Sequence, residues 1–326
     1  MTTIKNIAVL TSGGDSPGMN AAIRAVVRTG IFNGLNVYGV RHGYHGLIND
    51  HITEMKSHHV SNIIQRGGTI LKTARSMEFK TEAGMEAAWQ NLKKHDINAL
   101  FVIGGDGSFR GAMALSSKYP ISCIGLPGTI DNDIWGTDET IGFDTAMNTV
   151  IDAVDKIRDT ASSHNRMFLI EVMGRDAGFI AMNCGIAGGA EAVLIPEIKN
   201  DHLTLFKTLE EGHAHKKSSN IILVSEGDQA GGAFKFAEKY KDKLKNYDVR
   251  ISILGHIQRG GSPSAFDRFL ASRLGVAAVE AALDGQTNVM AGYKNSKVVL
   301  VPLEKAVKTR KKMDKELLHV LDVLNT

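Results

Sequence analysis

Short apolar runs alternate along the chain with longer segments in which apolar residues recur every three or four positions. Most of the short runs are continuously apolar, as is typical of strands buried on both faces of a parallel sheet. The predicted strands are 7–10, 36–40, 99–103, 121–126, 167–172, 192–195, 220–224, 249–254 and 297–301. Among the helical segments, 144–161 places Met147, Val150, Val154 and Ile157 on one face. This alternation predicts an α/β fold with mostly parallel sheets, and it favours two sheets of four or five strands over one of nine.

Length and composition restrict the class of protein. The chain has 326 residues, enough for about two domains, and it is 43% hydrophobic and 22% charged, which is a globular composition. Its apolar runs fall short of the ~20 residues of a membrane span, and we expect no signal peptide. The net charge of +3 gives no reason to expect nucleic acid as a partner. With only Cys123 and Cys184, we expect neither a disulfide framework nor a zinc cluster, and a cytoplasmic location is the default.

Glycine-rich or polar loops follow six of the predicted strands. The chain has 34 glycines but only 6 prolines, which indicates ordered turns rather than a low-complexity sequence. Ligands of open α/β sheets bind outside the carboxyl ends of the strands, so these loops are predicted to converge on one site. They are 11–20, 104–108, 127–133, 173–178, the position of Glu226, and 255–263.

The loop 104–108, with the sequence GGDGS, predicts a contact with a polyphosphate. Its glycines let the backbone approach phosphate oxygens, while Asp106 faces a cation such as Mg²⁺, which binds one or two carboxylates together with phosphate oxygens. Loop 11–20 has the G-x-x-x-x-G spacing of a P-loop but continues with Met19 and Asn20, so it is not a Walker A motif. Arg110 stands where a dinucleotide fingerprint needs its third glycine, which argues against an oxidoreductase.

The sequence TIDND places Asp131 and Asp133 in an extended loop, where side chains at i and i+2 face the same way. One carboxylate could accept a hydroxyl proton while the other supports Mg²⁺, as phosphoryl transfer requires. Cationic groups in other loops predict a phosphorylated substrate. They are Arg75, Arg166, Arg175, Arg250, His256 and Arg259. Each feature alone is also compatible with a turn, a helix cap or a surface ion pair.

Several motifs, taken together and in chain order, resemble those of the bacterial ATP-dependent 6-phosphofructokinase family. They are TSGGDSPGMNAAIR, RGGT, TAR, VIGGDGS, GLPGTIDND, IRDTASSHNR, EVMGRDAG and LGHIQRGGSP, and the match extends from about residue 5 to residue 275. GGDG alone is shared with NAD kinases and lipid kinases, whereas TIDND, MGR and GHIQRGG are more specific. The resemblance implies that the chain phosphorylates D-fructose 6-phosphate at its 1-hydroxyl with MgATP. The products would be fructose 1,6-bisphosphate and ADP, in the committed step of glycolysis.

The resemblance also implies two Rossmann-like, three-layer domains with the active site in the cleft between them. Residues 1–142 and 256–304 would form the larger, ATP-binding domain. Residues 143–255 and 305–326 would form the smaller, fructose 6-phosphate-binding domain. The C-terminal helix, which the apolar stripe predicts over 311–324, would pack on the smaller domain.

Individual residues acquire roles from the same resemblance. Asp131 would be the general base on the 1-hydroxyl, with Asp133 near the metal and Thr129 near the transferring group. Arg75 and Arg175 would stabilise that phosphoryl group. ATP would be bound by Gly14, Arg75, Ser76, Gly105, Asp106, Gly107 and Ser108, with Mg²⁺ on Asp106. The sugar phosphate would be bound by Thr129, Ile130, Asp131, Arg166, Met173, Gly174, Arg175, Glu226, Arg250, His256, Ile257, Gln258 and Arg259. In a homotetramer, Arg166 and Arg250 would complete the site of a neighbouring subunit.

Two glycines bear on the identity of the phosphoryl donor. Relatives that use pyrophosphate carry an acid in place of Gly107 and a lysine in place of Gly128, so the resemblance favours ATP. A pyrophosphate-dependent transferase is the alternative among enzymes. A nucleotide-binding regulator that has lost its chemistry is the alternative of another class, although every catalytic position is present.

A second set of residues matches the allosteric nucleotide site of the family. It comprises Arg24, Arg28, Arg158, Gly189, Glu191 and Lys217. The departures from that site are Ser57, Asn62, His215 and Ser218. Each lost charged contact could contribute ~1.5 kcal/mol, so we expect weak or altered regulation by ADP and phosphoenolpyruvate. An ADP titration with normal sigmoidal relief would contradict this hypothesis. Trp135 is a further local departure, to which the sequence assigns no effect.

Overall fold

The structure, a computed structural model, describes residues 4–162, 166–199, 202–203, 205–207 and 220–324. The chain forms two compact units. The larger unit comprises Met1–Ile130, Ile134–Thr145 and Arg259–Lys311, and the smaller unit comprises Asp131–Asp133, Ala146–Gln258 and Lys312–Thr326. These bounds differ from the expected ones: Asp131–Asp133 and 256–258 lie in the smaller unit, and 143–145 and 305–311 lie in the larger unit.

Seven strands form the sheet of the larger unit. They are β1 (Asn6–Thr11), β2 (Asn36–Val40), β3 (Ile52–Glu54), β4 (Ala99–Gly104), β5 (Ser122–Pro127), β10 (Val289–Lys294) and β11 (Lys297–Pro302). Their order across the sheet is β11-β10-β5-β4-β1-β2-β3. Neighbouring strands are parallel, except that the edge strands β3 and β11 pair antiparallel with β2 and β10. Every residue of the central strand β4 is buried, which explains its continuously apolar sequence.

Helices cover both faces of this sheet. They are α1 (Met19–Phe32), α2 (Gly43–Ile48), α3 (Glu82–Lys94), α4 (Asp106–Lys118), α9 (Ala265–Leu283) and α10 (Leu303–Lys308). On one face α1 and α9 bury Ile23 and Leu274 against the strands, and on the other α3 and α4 bury Leu92 and Phe109. A Cβ atom on Gly275 would lie 2.5 Å from the Cβ of Ala25, so this glycine is what allows α1 and α9 to pack so closely.

The smaller unit has a four-stranded parallel sheet. Its strands are β6 (Arg166–Val172), β7 (Ala192–Leu194), β8 (Asn220–Ser225) and β9 (Asp248–Ile253), in the order β7-β8-β6-β9. Its helices are α5 (Phe143–Ser162), α6 (Phe179–Ala187), α7 (Ala233–Lys239), α8 (Lys241–Leu244) and α11 (Lys315–Leu324). The core on one face packs Leu169, Ile222 and Phe236 together. Helix α11 contacts α6, and helix α5 begins in the larger unit and continues into this one.

The predicted α/β fold with mostly parallel sheets is confirmed, and the nine predicted strands correspond to nine of the observed ones. In the described residues, the prediction of two sheets is confirmed. The expected number of four or five strands per sheet is right for the smaller sheet, which has four, and wrong for the larger, which has seven. Strands β3 and β10 have no counterpart among the predicted strands. Strand β3 has only three residues, two of them polar. Strand β10 contains Gly292, which weakens a strand pattern and is needed because a Cβ there would lie 2.9 Å from the Gly136 carbonyl oxygen. Among the described helices, none is long and apolar enough to cross a membrane.

Asp267, in the first turn of α9, caps the start of a different helix, α5. Its carboxylate accepts hydrogen bonds from the amides of Gly142 and Thr145 at 2.7 and 2.8 Å and from the Thr145 hydroxyl at 2.5 Å. Burial raises the pKa of Asp267 to about 6, although these three bonds oppose the increase. A carboxylate at this position also favours the helix through its dipole, so Asp267 fixes where α5 leaves the larger unit.

Glu139 lies near this cap without a comparable set of donors. Its Oε2 atom is buried, and no described residue donates a hydrogen bond to it. Burial raises the pKa of Glu139 to about 7; the positive charge of Lys311 opposes the increase, and the carboxylates of Asp144, Asp267 and Asp138 add to it. Ionised Glu139 is therefore a cost to the folded state near neutral pH.

We expect Glu139→Gln to raise the melting temperature at pH 8 and to leave it nearly unchanged at pH 5. The folded protein keeps the Glu139 proton up to about pH 7, whereas the unfolded chain releases it near 4.5. Stability therefore falls as the pH rises between these values, and the amide removes that loss. Since Glu139 is not fully buried, we expect a gain of about 1–2 kcal/mol, or about 2–5 °C.

Thermal unfolding at both pH values measures this effect. Glu280→Gln, at an exposed position of α9, is the matched control and should not change the melting temperature at either pH. Equal melting temperatures for the wild type and Glu139→Gln at pH 8 would show that the Glu139 carboxylate is well solvated or well paired.

Candidate functional site

In the larger unit, the glycine-rich loops after β1 and β4 lie against each other. The Ser12 amide donates to the Ile103 carbonyl at 3.0 Å. A Cβ on Gly104 would lie 2.5 Å from both the Ser12 carbonyl oxygen and the Ser108 hydroxyl. Gly13 has a φ of +88°, a backbone conformation that side chains disfavour. These glycines therefore allow two loops and the start of α4 to meet at the carboxyl edge of the sheet.

Asp106 begins α4 and keeps its carboxylate partly exposed, at 39% of the side-chain surface. One oxygen accepts the Gly107 amide at 2.6 Å, and the other is 2.9 Å from the guanidinium of Arg110, one turn along the helix. No set of three His, Cys, Asp or Glu residues that could hold a metal ion occurs in the described part of the chain. A magnesium ion bridging phosphates needs only one or two protein carboxylates, so the exposed Asp106 beside a glycine loop fits that use.

Tyr44, to which the sequence assigned no role, contacts the Gly104–Ser108 loop. Its hydroxyl donates to the Ser108 carbonyl at 2.5 Å, and its ring stacks on Phe79 with centroids 4.1 Å apart. Burial raises the pKa of Tyr44 well above its usual value, so the hydroxyl remains a donor. Tyr44 lies in no motif, and no pattern in the sequence indicates that it faces the Gly104–Ser108 loop.

The segment that carries Arg75 and Ser76 is tied to the loop after β1. The Thr73 hydroxyl donates to the Gly13 carbonyl at 2.7 Å. The Ser76 hydroxyl accepts the Phe79 amide at 3.2 Å and so starts a short 3₁₀ helix, Glu78–Lys80. Arg75 is exposed. The chain is thus tied to the loop after β1 two residues before Arg75.

Arg259, which the resemblance places in the sugar-phosphate site, contacts the loop after β1. Its guanidinium donates to the Asp15 carbonyl at 3.2 Å. A Cβ on Gly14 would lie 2.6 Å from the Arg259 Nη1 atom. With a side chain at position 14, the Arg259 guanidinium would have to move from its present place on this loop. The predicted substrate residues Thr129 and Ile130 are buried, and the Thr129 carbonyl accepts the Thr140 hydroxyl at 2.6 Å.

In the smaller unit, Asp131 and Arg175 form a close charged pair. The Asp131 side chain is only 2% exposed, and its Oδ2 atom lies 3.4 Å from the Nε atom of Arg175. The Arg175 side chain is half exposed. A buried carboxylate beside a guanidinium that reaches solvent places a proton acceptor and a cation at the same point. Asp133 is partly buried in the same short segment.

The turn that carries Arg175 is held by two side chains from elsewhere in the smaller unit. One carboxylate oxygen of Glu226 accepts the amides of Gly174 and Arg175, at 3.2 and 2.7 Å. The side-chain oxygen of Gln258 accepts the Met173 amide at 3.2 Å. Next to Glu226, a Cβ on Gly227 would lie 1.9 Å from the Arg175 carbonyl oxygen. The predicted sugar-phosphate residues Met173–Arg175, Glu226 and Gln258 are therefore in mutual contact.

The remaining predicted substrate residues of the smaller unit are more exposed. His256 and Ile257 project from the 3₁₀ helix Gly255–Arg259 into solvent. Arg166 and Arg250 share the carboxylate of Asp248, each at 3.0 Å. Arg250 is on β9, the edge strand of its sheet, and Arg166 is on the neighbouring strand β6.

The predicted effector residues lie in both units. Arg24 and Arg28 are on α1, where burial and the positive charge of Arg28 lower the pKa of Arg24. The other described members form a cluster in the smaller unit. The guanidinium of Arg158 donates to the carbonyls of Gly188 and Gly189, and the Glu191 carboxylate accepts the Ile221 amide at 2.6 Å.

Two of the residues that differ from the effector site of the family are described. Ser57 begins the 3₁₀ helix Ser57–Val60, and Asn62 has a φ of +54°. Lys217, His215 and Ser218 lie outside the described residues. Trp135 is partly buried against the core on the α3 and α4 face.

Comparison with known proteins gives a consistent result. A family model described as Phosphofructokinase matches residues 6–282. ATP-dependent 6-phosphofructokinase 2 of Bacteroides thetaiotaomicron is 55% identical over 325 residues, which is 100% of both chains. ATP-dependent 6-phosphofructokinase of Cytophaga hutchinsonii is 51% identical over 99% of this chain and 98% of the relative.

Solved structures agree with these sequence matches. Phosphofructokinase from Saccharomyces cerevisiae is 38% identical with a TM-score of 0.88; the match covers 98% of this chain but only 47% of the yeast chain. A pyrophosphate-dependent phosphofructokinase from Marinobacter aquaeolei is 25% identical with a TM-score of 0.84, and the match covers 98% of this chain and 91% of that chain.

Proposed function

The chain belongs to the phosphofructokinase family, and on that premise we propose that it transfers a phosphoryl group from MgATP to the 1-hydroxyl of fructose 6-phosphate. The main structural support for this reaction is the charged pair of Asp131 and Arg175, whose Oδ2 and Nε atoms are 3.4 Å apart. The products are fructose 1,6-bisphosphate and ADP. Identities of 51% and 55% over essentially the full length, to relatives named as ATP-dependent 6-phosphofructokinases, support this substrate and donor.

Asp131 accepts the proton of the 1-hydroxyl in this reaction. In a loose transition state the hydroxyl proton leaves late, so a carboxylate positioned on the attacking oxygen suffices as the base. The guanidinium of Arg175 neutralises the charge that builds up on the transferring phosphoryl oxygens, and such preorganised stabilisation is usually the largest contribution. Arg75 is the second cation in this role, with Thr129 near the transferring group and Asp133 near the metal.

The larger unit binds the nucleotide. The backbone of Gly105–Ser108 and Gly14 lies against the phosphates, and Arg75 and Ser76 complete the ATP residues. Asp106 would hold Mg²⁺, which would supply positive charge against the phosphates. Arg110 pairs with one oxygen of the same carboxylate at 2.9 Å and so orients it.

The smaller unit binds most of the sugar phosphate, through His256 and the turn at Met173–Arg175. The two arginines that contact Asp248 are Arg166 and Arg250, and we assign them to the site of a neighbouring subunit in a homotetramer. A cytoplasmic location is part of the same proposal.

The donor is ATP rather than pyrophosphate. At Gly107 a Cβ would meet no described atom within 4 Å, so the glycine leaves the space over the loop open for a nucleotide. At Gly128 a Cβ would lie 3.0 Å from Ile103 and 3.2 Å from Met19. A lysine at position 128, as in relatives that use pyrophosphate, would require both of these side chains to shift. The packing around position 128 therefore favours glycine.

Product formation from fructose 6-phosphate, assayed separately with MgATP and with magnesium pyrophosphate, tests the proposal. We expect fructose 1,6-bisphosphate with ATP alone. Activity with pyrophosphate would show that the interpretation of Gly107 and Gly128 is wrong. Absence of activity with either donor, in protein that still binds ADP, would instead identify a nucleotide-binding regulator.

A further inference from the structure

We propose that Gln258 is a positioning residue for Arg175, and not a ligand of the sugar phosphate. The inference rests on the proposed function, because it concerns the guanidinium assigned to the transferring phosphoryl group. The turn that carries Arg175 has two successive residues with positive φ. Gly174 has a φ of +144° and Arg175 a φ of +53°. A non-glycine residue keeps such a conformation only where its surroundings hold it.

Three successive amides of this turn are each bound by a side chain. Those of Gly174 and Arg175 donate to one oxygen of Glu226, and that of Met173 donates to the Oε1 atom of Gln258. A row of adjacent amides in such a turn is a place where an anion can bind. Here the protein fills that place with its own two side chains, which fixes the turn internally.

The Gln258 side chain has no access to a ligand in solvent. The residue is fully buried, at 0% exposure, while its neighbours His256 and Ile257 on the same 3₁₀ helix are exposed. Its amide nitrogen donates to the Gly255 carbonyl at 3.0 Å. Gln258 therefore links the Met173 amide to the Gly255 carbonyl.

Only a side chain with one acceptor and one donor in this geometry can make that link. A carboxamide offers both, whereas a carboxylate offers acceptors alone and a thioether offers neither in useful strength. The link fixes the backbone from which Arg175 reaches Asp131 at 3.4 Å. Because a displacement of about 1 Å in a reacting group can lower a rate by about 10²-fold, loss of the link should appear in kcat.

The first test compares Gln258→Glu with the wild type in steady-state kinetics. The carboxylate still accepts the Met173 amide but cannot donate to the Gly255 carbonyl. We expect kcat at pH 8 to fall about 30-fold, with the KM for ATP unchanged within about threefold, because the nucleotide loops are untouched. Gln229→Glu is the matched control, since Gln229 is an exposed glutamine of the same unit whose amide also donates to a backbone carbonyl, that of Ile198.

The dependence of kcat on pH distinguishes a positioning role of Gln258 from a general disturbance of the structure. A buried carboxyl has a raised pKa, and when protonated it can again donate a hydrogen bond. We therefore expect kcat of Gln258→Glu, relative to the wild type at the same pH, to recover as the pH falls from about 8 to about 6. The ratio for Gln229→Glu should not change with pH. Gln258→Met, which cannot regain the donor, should lose kcat at every pH while still binding ADP in calorimetry.

The wild-type rate tests the proposed function, and the ratio of variant to wild type tests this inference. A rise in the KM for fructose 6-phosphate at unchanged kcat would identify Gln258 as a substrate ligand and overturn the proposal. An unchanged kcat in Gln258→Met would overturn it as well, as would a kcat loss in Gln258→Glu that does not recover at low pH.

Discussion

Asp131→Asn is expected to lower kcat by about 10³-fold, in the middle of the 10²–10⁴-fold range that a positioned general base contributes. The amide keeps the size of the carboxylate, so the buried space around position 131 remains filled. It cannot accept the proton of the 1-hydroxyl, and it also removes the charge that faces Arg175 at 3.4 Å. Steady-state kinetics with fructose 6-phosphate and MgATP measure the change, and the KM for ATP should vary little.

Asp138→Asn is the matched control for this prediction. Asp138 lies in the same stretch of chain but is exposed, and one of its oxygens accepts the Asn295 amide at 2.8 Å. It should keep a kcat close to that of the wild type. If Asp131→Asn retained more than about a tenth of wild-type kcat, the base would have to be another group, since general bases rarely contribute so little.

The candidate site shows where motif patterns are informative. Asp131 and Arg175 are both named by short motifs, TIDND and MGR, that stand at the ends of predicted strands. TIDND follows β5 of the larger sheet and MGR follows β6 of the smaller one, and functional residues are typical of the carboxyl ends of strands in each such sheet. The contact between them, however, depends on the turn at Arg175, which Glu226 and Gln258 hold in place. The resemblance assigns both residues to substrate binding, but it gives no sign of these hydrogen bonds, because a sequence pattern does not say which way a side chain faces.

Other features depend on contacts between distant parts of the chain. Ser264 and Asp267 have the spacing of a capping box, and the Ser264 hydroxyl does accept the Asp267 amide at 3.1 Å. That pattern would predict the start of α9. It gives no sign that the Asp267 carboxylate caps α5, since that contact depends on how two segments far apart in sequence come together. The hydrogen bond from the Tyr44 hydroxyl to the Ser108 carbonyl also joins residues far apart in sequence, and no local pattern predicts it.

Replacement of Arg175 by methionine should reduce kcat by about 10³-fold, since arginines that stabilise a transferring phosphoryl group contribute about 10³–10⁵-fold. Methionine keeps the length of the aliphatic stem but removes the cation from the point 3.4 Å from Asp131. The backbone of the turn should survive, because its bonds to Glu226 are made by main-chain amides. The KM for ATP should therefore change far less than kcat.

Chemical rescue distinguishes loss of the cation from disturbance of the turn. Added guanidinium ion can occupy the vacated space and neutralise the phosphoryl oxygens, so kcat of Arg175→Met should rise with its concentration. Arg273→Met is the matched control, because the Arg273 guanidinium lies over the ring of Phe269 on α9, and it should show neither the loss nor the rescue. An Arg175→Met variant with wild-type kcat would remove Arg175 from the chemistry and leave Arg75 as the cation that stabilises the transferring group.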